Sequence, residues 1–164
     1  MSLDSLEKLF FEELKDIYHA EKQLTRALPR MAKAAESPEL EQAFTTHLKE
    51  TEGQIQRLQK IFDKLGKKPT GKKCAAMEGL VEEGKEMMGE DMDEETMDAA
   101  LIAVAQKIEH YEIASYGTVR TWARHIGDEQ TAKLLQQTLD EEGKTDKLLT
   151  EMAENNINVE AAQA

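Results

Sequence analysis

Apolar residues recur along most of this chain at spacings of three and four, a stripe that only one face of a helix can bury continuously. Leu3, Leu6, Leu9, Phe10, Leu14, Ile17, Leu24, Leu28 and Met31 make the first stripe. They predict a long amphipathic helix over about residues 3 to 35, capped by Asp4 or Ser2. Pro29 is expected to kink it, because proline removes a backbone donor and crowds the preceding turn. Ser37-Pro38-Glu39 restarts helix with serine at the cap and proline at the first position. Leu40, Phe44, Leu48, Ile55, Leu58, Ile61, Phe62 and Leu65 then form a second stripe, which Gly66 stops.

From Lys67 to about Thr96 the pattern changes to a basic, glycine-bearing loop followed by an acidic stretch with Met77, Leu80, Val81, Met87 and Met88. A connection of about 30 residues is far longer than a hairpin needs, so it is expected to cross the fold and carry one short helix. Its methionines suit gap-filling in a core. A third long helix is expected from about Asp98 to His125. Gly127-Asp128 separates it from a fourth, from about Glu129 to Ala153, and the tail from residue 156 to 164 is expected to fray. The whole reads as one all-α domain over residues 1–155, a size at which a four-helix bundle buries a full core. Ala, Leu, Glu, Lys, Gln and Met dominate, and there are only three prolines, which agrees with helix throughout.

An internal repeat sharpens this. A shift of 91 residues superposes Leu28 on Val119, Phe44 on Leu135 and Leu58 on Leu149, and it carries Glu21 onto Glu112 and Glu50 onto Glu141. Two helix hairpins related by approximate two-fold symmetry would bring four glutamates to one level of the bundle. Buried carboxylates cost several kcal/mol unless paired or bound to a cation. In ferritin-like di-iron and di-manganese bundles, two helices each give one glutamate and two each give a Glu-x-x-His pair.

Glu21 lies in an apolar stripe with Ile17, Leu24 and Leu28. Glu50 shares a face with His47 and Gln54. On the third helix Glu109 and Glu112 point to one side with Tyr116 a turn beyond, and either or both are candidate ligands. On the fourth, Glu141 and Glu142 diverge by about 100°, so one of them is expected to face a metal. Gly53 follows Glu50 by three residues, and Lys144 and Thr145 follow Glu141 and Glu142, so neither Glu-x-x-His pair is present. A site with so few imidazoles is oxygen-rich and suits iron or manganese.

The formal net charge of −12 repels phosphate backbones, which argues against nucleic acid as a partner. No apolar run reaches the length of a membrane span, and the N-terminus has no basic, cleavable leader pattern. The lone Cys74 excludes an intramolecular disulfide and fits a reducing compartment, so the cytoplasm is the expected location. It sits beside a loop with no identifiable histidine partner, and no Ser-His-Asp or phosphate-loop motif accompanies it.

The strings AEKQL (20–24), HLKETEGQIQRL (47–58), EHYEIASYGT (109–118) and TLDEE (138–142) resemble the YciE/YciF family of ferritin-like bacterial stress-response proteins, over almost the whole chain. The resemblance implies a ferritin-like four-helix core with an extra short helix, a homodimer, and a dinuclear iron or manganese site. By position, Glu21, Glu50, Glu109 or Glu112, and Glu141 or Glu142 would be the ligands, with His47 and Gln54 beside them. Glu52 stands where the family form has histidine. Two functions compete: metal-dependent handling of peroxide, oxygen or iron under stress, and a non-enzymatic oligomeric scaffold whose glutamates are satisfied by Lys, Arg, His and water.

Overall fold

A computed structural model describes residues 3–164. The elements run α1 (Leu6–Ala34), α2 (Pro38–Lys64), α3 (Ala75–Met88), α4 (Glu94–His125), α5 (Glu129–Met152), a π turn (Ala153–Ile157) and α6 (Asn158–Ala161), with no strand among the described residues.

Local sequence explains most of the boundaries. Ser5 caps α1 by accepting from the Lys8 amide, while Asp4 takes the Lys8 ammonium instead; Ser2, the other expected cap, lies outside the described residues. The helix runs through Pro29 without a break. Ser37 caps α2, with Pro38 at its first turn. Gly66 and Gly127 adopt φ of 64° and 82°, the left-handed conformation that lets the chain turn off α2 and α4. The amides of Lys67 and Asp128 then reach back to the carbonyls of Phe62 and Ala123.

Two boundaries differ from the sequence expectation. Helix α4 begins a turn before Asp98, because Asp93 accepts from the Thr96 amide as its cap. Asp98 itself accepts from the backbone amides of Glu36 and Ser37, both at 2.8 Å, and so clamps the α1–α2 turn. Beyond Asn155, where fraying is expected, the chain stays helical to Ala161 and buries Ile157, as the π turn and α6 pack on α4.

Helices α1 and α2 pack together, as do α4 and α5; α1 against α4 and α2 against α5 close the ring, and the α2–α5 seam is the sparsest. Helix α3 lies on α1 and α4, and fully buries Met77. The apolar core falls into two parts. One contains Leu24, Leu28, Phe44, Leu101, Ile108 and Leu149; the other contains Phe10, Leu14, Ile61, Phe62, Val119 and Leu135. Each such side chain contributes about 1.5–3 kcal/mol through burial. All three apolar pairs of the 91-residue repeat are buried. Between the two parts, on α1, α2, α4 and α5 alike, the buried positions turn polar: Glu21; His47, Thr51 and Gln54; Glu109 and Glu112; Thr138 and Glu142.

Candidate metal centre

The polar layer is assembled from helical stripes whose apolar members lock each backbone in place. On α1, Ile17 and Leu24 flank Glu21, which is fully buried; the Tyr116 hydroxyl of α4 donates to its Oε1, and Oε2 has no partner. On α4, Glu109, Glu112 and Tyr116 recur at helical spacing and all point inward. On α5 the neighbouring carboxylates separate: Glu142 is fully buried, while Glu141 is half-buried and grips the Arg57 guanidinium with both oxygens.

Helix α2 gives no fully buried carboxylate. Its inward face presents His47, Thr51 and Gln54, and Glu50 sits at the edge. The Gln54 amide donates to Glu142 Oε1 and to Glu141 Oε2, leaving its own Oε1 without a partner. His47 Nε2 stands 2.7 Å from Glu109 Oε1, but not in the alignment of a hydrogen bond, and Nδ1 lies 3.8 Å from Glu50 Oε2. Both are placed as ligands converging on a shared point would be. One atom each from His47, Glu109, Glu112 and Glu142 falls within 4.8 Å of all the others.

The electrostatics follow from burial. Desolvation, then the charge of Glu142, pushes Glu21 up to about 8. The same two causes hold Glu109 and Glu112 well above the usual carboxylate range. For His47 burial works against the cation, yet the Glu109 carboxylate outweighs it and raises the imidazole well above its usual value. Glu50, nearer solvent, is lowered by the neighbouring His47 imidazole. The layer therefore holds protons where it could hold a cation. Buried atoms on Glu21, His47, Gln54, Glu109, Glu112 and Glu142 make no hydrogen bond, and His47, Glu109, Glu112 and Glu142 lie close enough together to hold a cation.

Sequence reasoning placed Glu21, His47, Glu109, Glu112 and Glu142 among the candidates, and the structure brings them together. Glu50 and Glu141, which the repeat superposes, both remain half-buried at the α2–α5 seam. The fully buried members of that register are one residue on, Thr51 and Glu142. Glu52 is exposed, so the departure from the family form there leaves the layer untouched. Arg57 was not foreseen, although its place on the stripe of Glu50 and Gln54 was visible. Cys74 does have a histidine neighbour: its backbone amide donates to His19 Nδ1, while its thiol meets the Tyr111 hydroxyl at 3.0 Å.

Residues 5–162 match a family described as a domain of unknown function, DUF892. The chain is 49% identical to Protein YciF of Escherichia coli K12 over 98% of both chains. The crystal structure of that E. coli stress protein superposes with a TM-score of 0.91 at 50% identity, covering 95% of this chain and 99% of the other. YcfI of Rhodopseudomonas palustris, provisionally described as a structural protein, superposes at 0.89 with 44% identity, covering 92% and 97%. A Xanthomonas campestris protein, 23% identical, shares the fold at a TM-score of 0.78, covering 98% and 100%.

Proposed function

The chain belongs to the DUF892 family, and on that premise we propose that it is a ferritin-like stress-response protein that binds a pair of iron or manganese ions in its buried polar layer. In this reading α1, α2, α4 and α5 are the four-helix core, α3 is the added helix of the crossover, and two chains form a cytoplasmic homodimer. His47, Glu109, Glu112 and Glu142 hold one ion, and Glu21 with Glu112 and Glu142 supplies oxygens for a second.

The observation that carries the reading is the set of unpartnered atoms on these side chains, deep between two apolar cores. Neither lysine nor arginine pairs with Glu21, Glu109, Glu112 or Glu142 among the described residues; of the partners that the scaffold reading calls on, Arg57 meets Glu141 and His47 stands beside Glu109, while Glu21, Glu112 and Glu142 have no cationic side chain paired with them. Bound iron or manganese would supply one-electron chemistry toward peroxide or oxygen. The protein's own part is to orient the donors and exclude water. Tyr116 fixes Glu21 through Oε1 and leaves Oε2 free, and Gln54 does the same for Glu142. Metal and protons compete for the same atoms, so loading releases protons.

The test is elemental analysis and calorimetry after reconstitution with Fe(II) or Mn(II). Two ions per chain, reduced in Glu112→Gln, are expected. Protein that takes up neither metal sinks the proposal, and peroxide consumption above that of free metal separates turnover from storage.

A further inference from the structure

The two ends of the α2–α5 seam differ among the described residues. Toward Lys64 the seam is bridged by Arg57 with Glu141 and Thr138, and by Lys64 with Asp128. Toward Pro38 it widens into a groove of about 530 Å³, whose walls include Leu148 and Met152 and whose floor is His47 and Glu50. The groove adjoins a hollow of about 490 Å³ and shares Pro38, Glu39 and Met152 with it. Glu36, Glu39, Glu95, Asp98 and Glu160 line that hollow, and no basic side chain does so among the described residues.

His47 connects the outside to the layer. Its side chain is about nineteen-twentieths buried, it lines the groove, neither ring nitrogen has a hydrogen-bond partner, and its far nitrogen faces Glu109. Glu50 stands before it, half-buried, accepting from the Thr145 hydroxyl at 3.3 Å. A carboxylate at that place can meet a cation still partly hydrated and turn inward toward the imidazole.

We propose that this groove is the route by which divalent cations reach the buried centre, with the acidic hollow gathering them and Glu50 acting as a transit ligand that passes them to His47. The inference rests on the metal reading above and deepens it. Clefts lined by one sign of charge raise the local concentration of the opposite charge and its rate of arrival. Lys144, the one lysine or arginine among the described residues lining the groove, opposes this and makes the sign testable.

The experiment follows Co(II) uptake by the metal-free full chain in stopped flow, by the absorbance of the bound ion, with final metal content measured by elemental analysis. Glu50→Gln is expected to slow uptake about tenfold while the final content stays at the wild-type level. Leu148→Trp, at an exposed position that can hold a larger ring, should also slow it. Lys144→Gln should speed it, and Glu86→Gln, exposed on α3, should leave it unchanged. Wild-type rates in Glu50→Gln and Leu148→Trp would overturn the route alone. A loss of final content in Glu50→Gln would make Glu50 a resident ligand and overturn its transit role. A wild-type chain that takes up no cobalt, iron or manganese would overturn this inference together with the reading beneath it.

Discussion

Two polar clusters span α1 and α4, and they are finished in opposite ways. Around Cys74 the donors and acceptors meet one another: Tyr111 donates to Asp16 and touches the thiol, while His19 and Gln23 accept from and donate to the Cys74 backbone. Lys72 donates to the Lys15 carbonyl, and Gly71 passes so close that a Cβ there would meet His19 Cβ at 3.0 Å. That network ties the crossover to α1. In the layer of Glu21, His47, Glu109, Glu112 and Glu142, buried atoms are left without partners. A satisfied polar cluster is a fastener; an unsatisfied one between apolar cores is a place that could hold a cation.

The contrast breaks if both clusters respond alike. The largest expected effect is that of pH on the metal-free protein. Glu21 is raised from 4.5 to about 8, so the stability it contributes is fully present below 4.5 and lost as pH rises through 8. Glu109, Glu112 and His47, also raised, have the same sign. Urea titrations should therefore give a lower unfolding free energy at pH 8.5 than at pH 5.5 without metal, and Glu112→Gln should flatten that slope. A rise toward pH 8.5 in the metal-free wild type would contradict the layer's electrostatics.

Metal comes next. Mn(II) at about one hundred times its Kd should add about 2.7 kcal/mol for each ion bound, which is roughly 5–11 °C in Tm per ion for a chain of this size. Glu112→Gln should lose that gain in a thermal scan, and Tyr111→Phe should keep it. A smaller effect is expected of Asp98→Ala, which strands the amides of Glu36 and Ser37 and should cost about 2 kcal/mol in urea, with or without metal. Tyr111→Phe removes the hydroxyl between Asp16 and Cys74 and should cost about 1 kcal/mol by the same measurement. If instead it altered metal content, the fastener would belong to the site.

Much of the fold was legible because its causes are local. The stripes ending at Met31 and Leu65, the Ser37-Pro38 start and the Gly66 and Gly127 stops are contained within a few residues each. The α4 start was misplaced by a turn because Asp93-Glu94-Glu95 carries no apolar period, although Asp93 with Thr96 was a readable cap. In the layer, Glu21 was legible from its apolar neighbours. The choice between Glu141 and Glu142 was not, since the apolar series on α5 suits either.

By itself the sequence determined the helices, their order, the long connection after α2 and the presence of carboxylates on the inward faces, because spacing along a helix decides which residues share a face. Tertiary structure alone decided how the two halves differ. Packing of α2 on α5 turned Thr51 and Glu142 inward, left Glu50 and Glu141 at the seam and brought Arg57 to Glu141, while packing of α3 on α1 set His19 against the Cys74 amide. A step of about 100° places neighbours such as Glu141 and Glu142 on either side of the boundary between core and solvent. Where that boundary falls is set by the helix packed opposite, which no stretch of a single helix records.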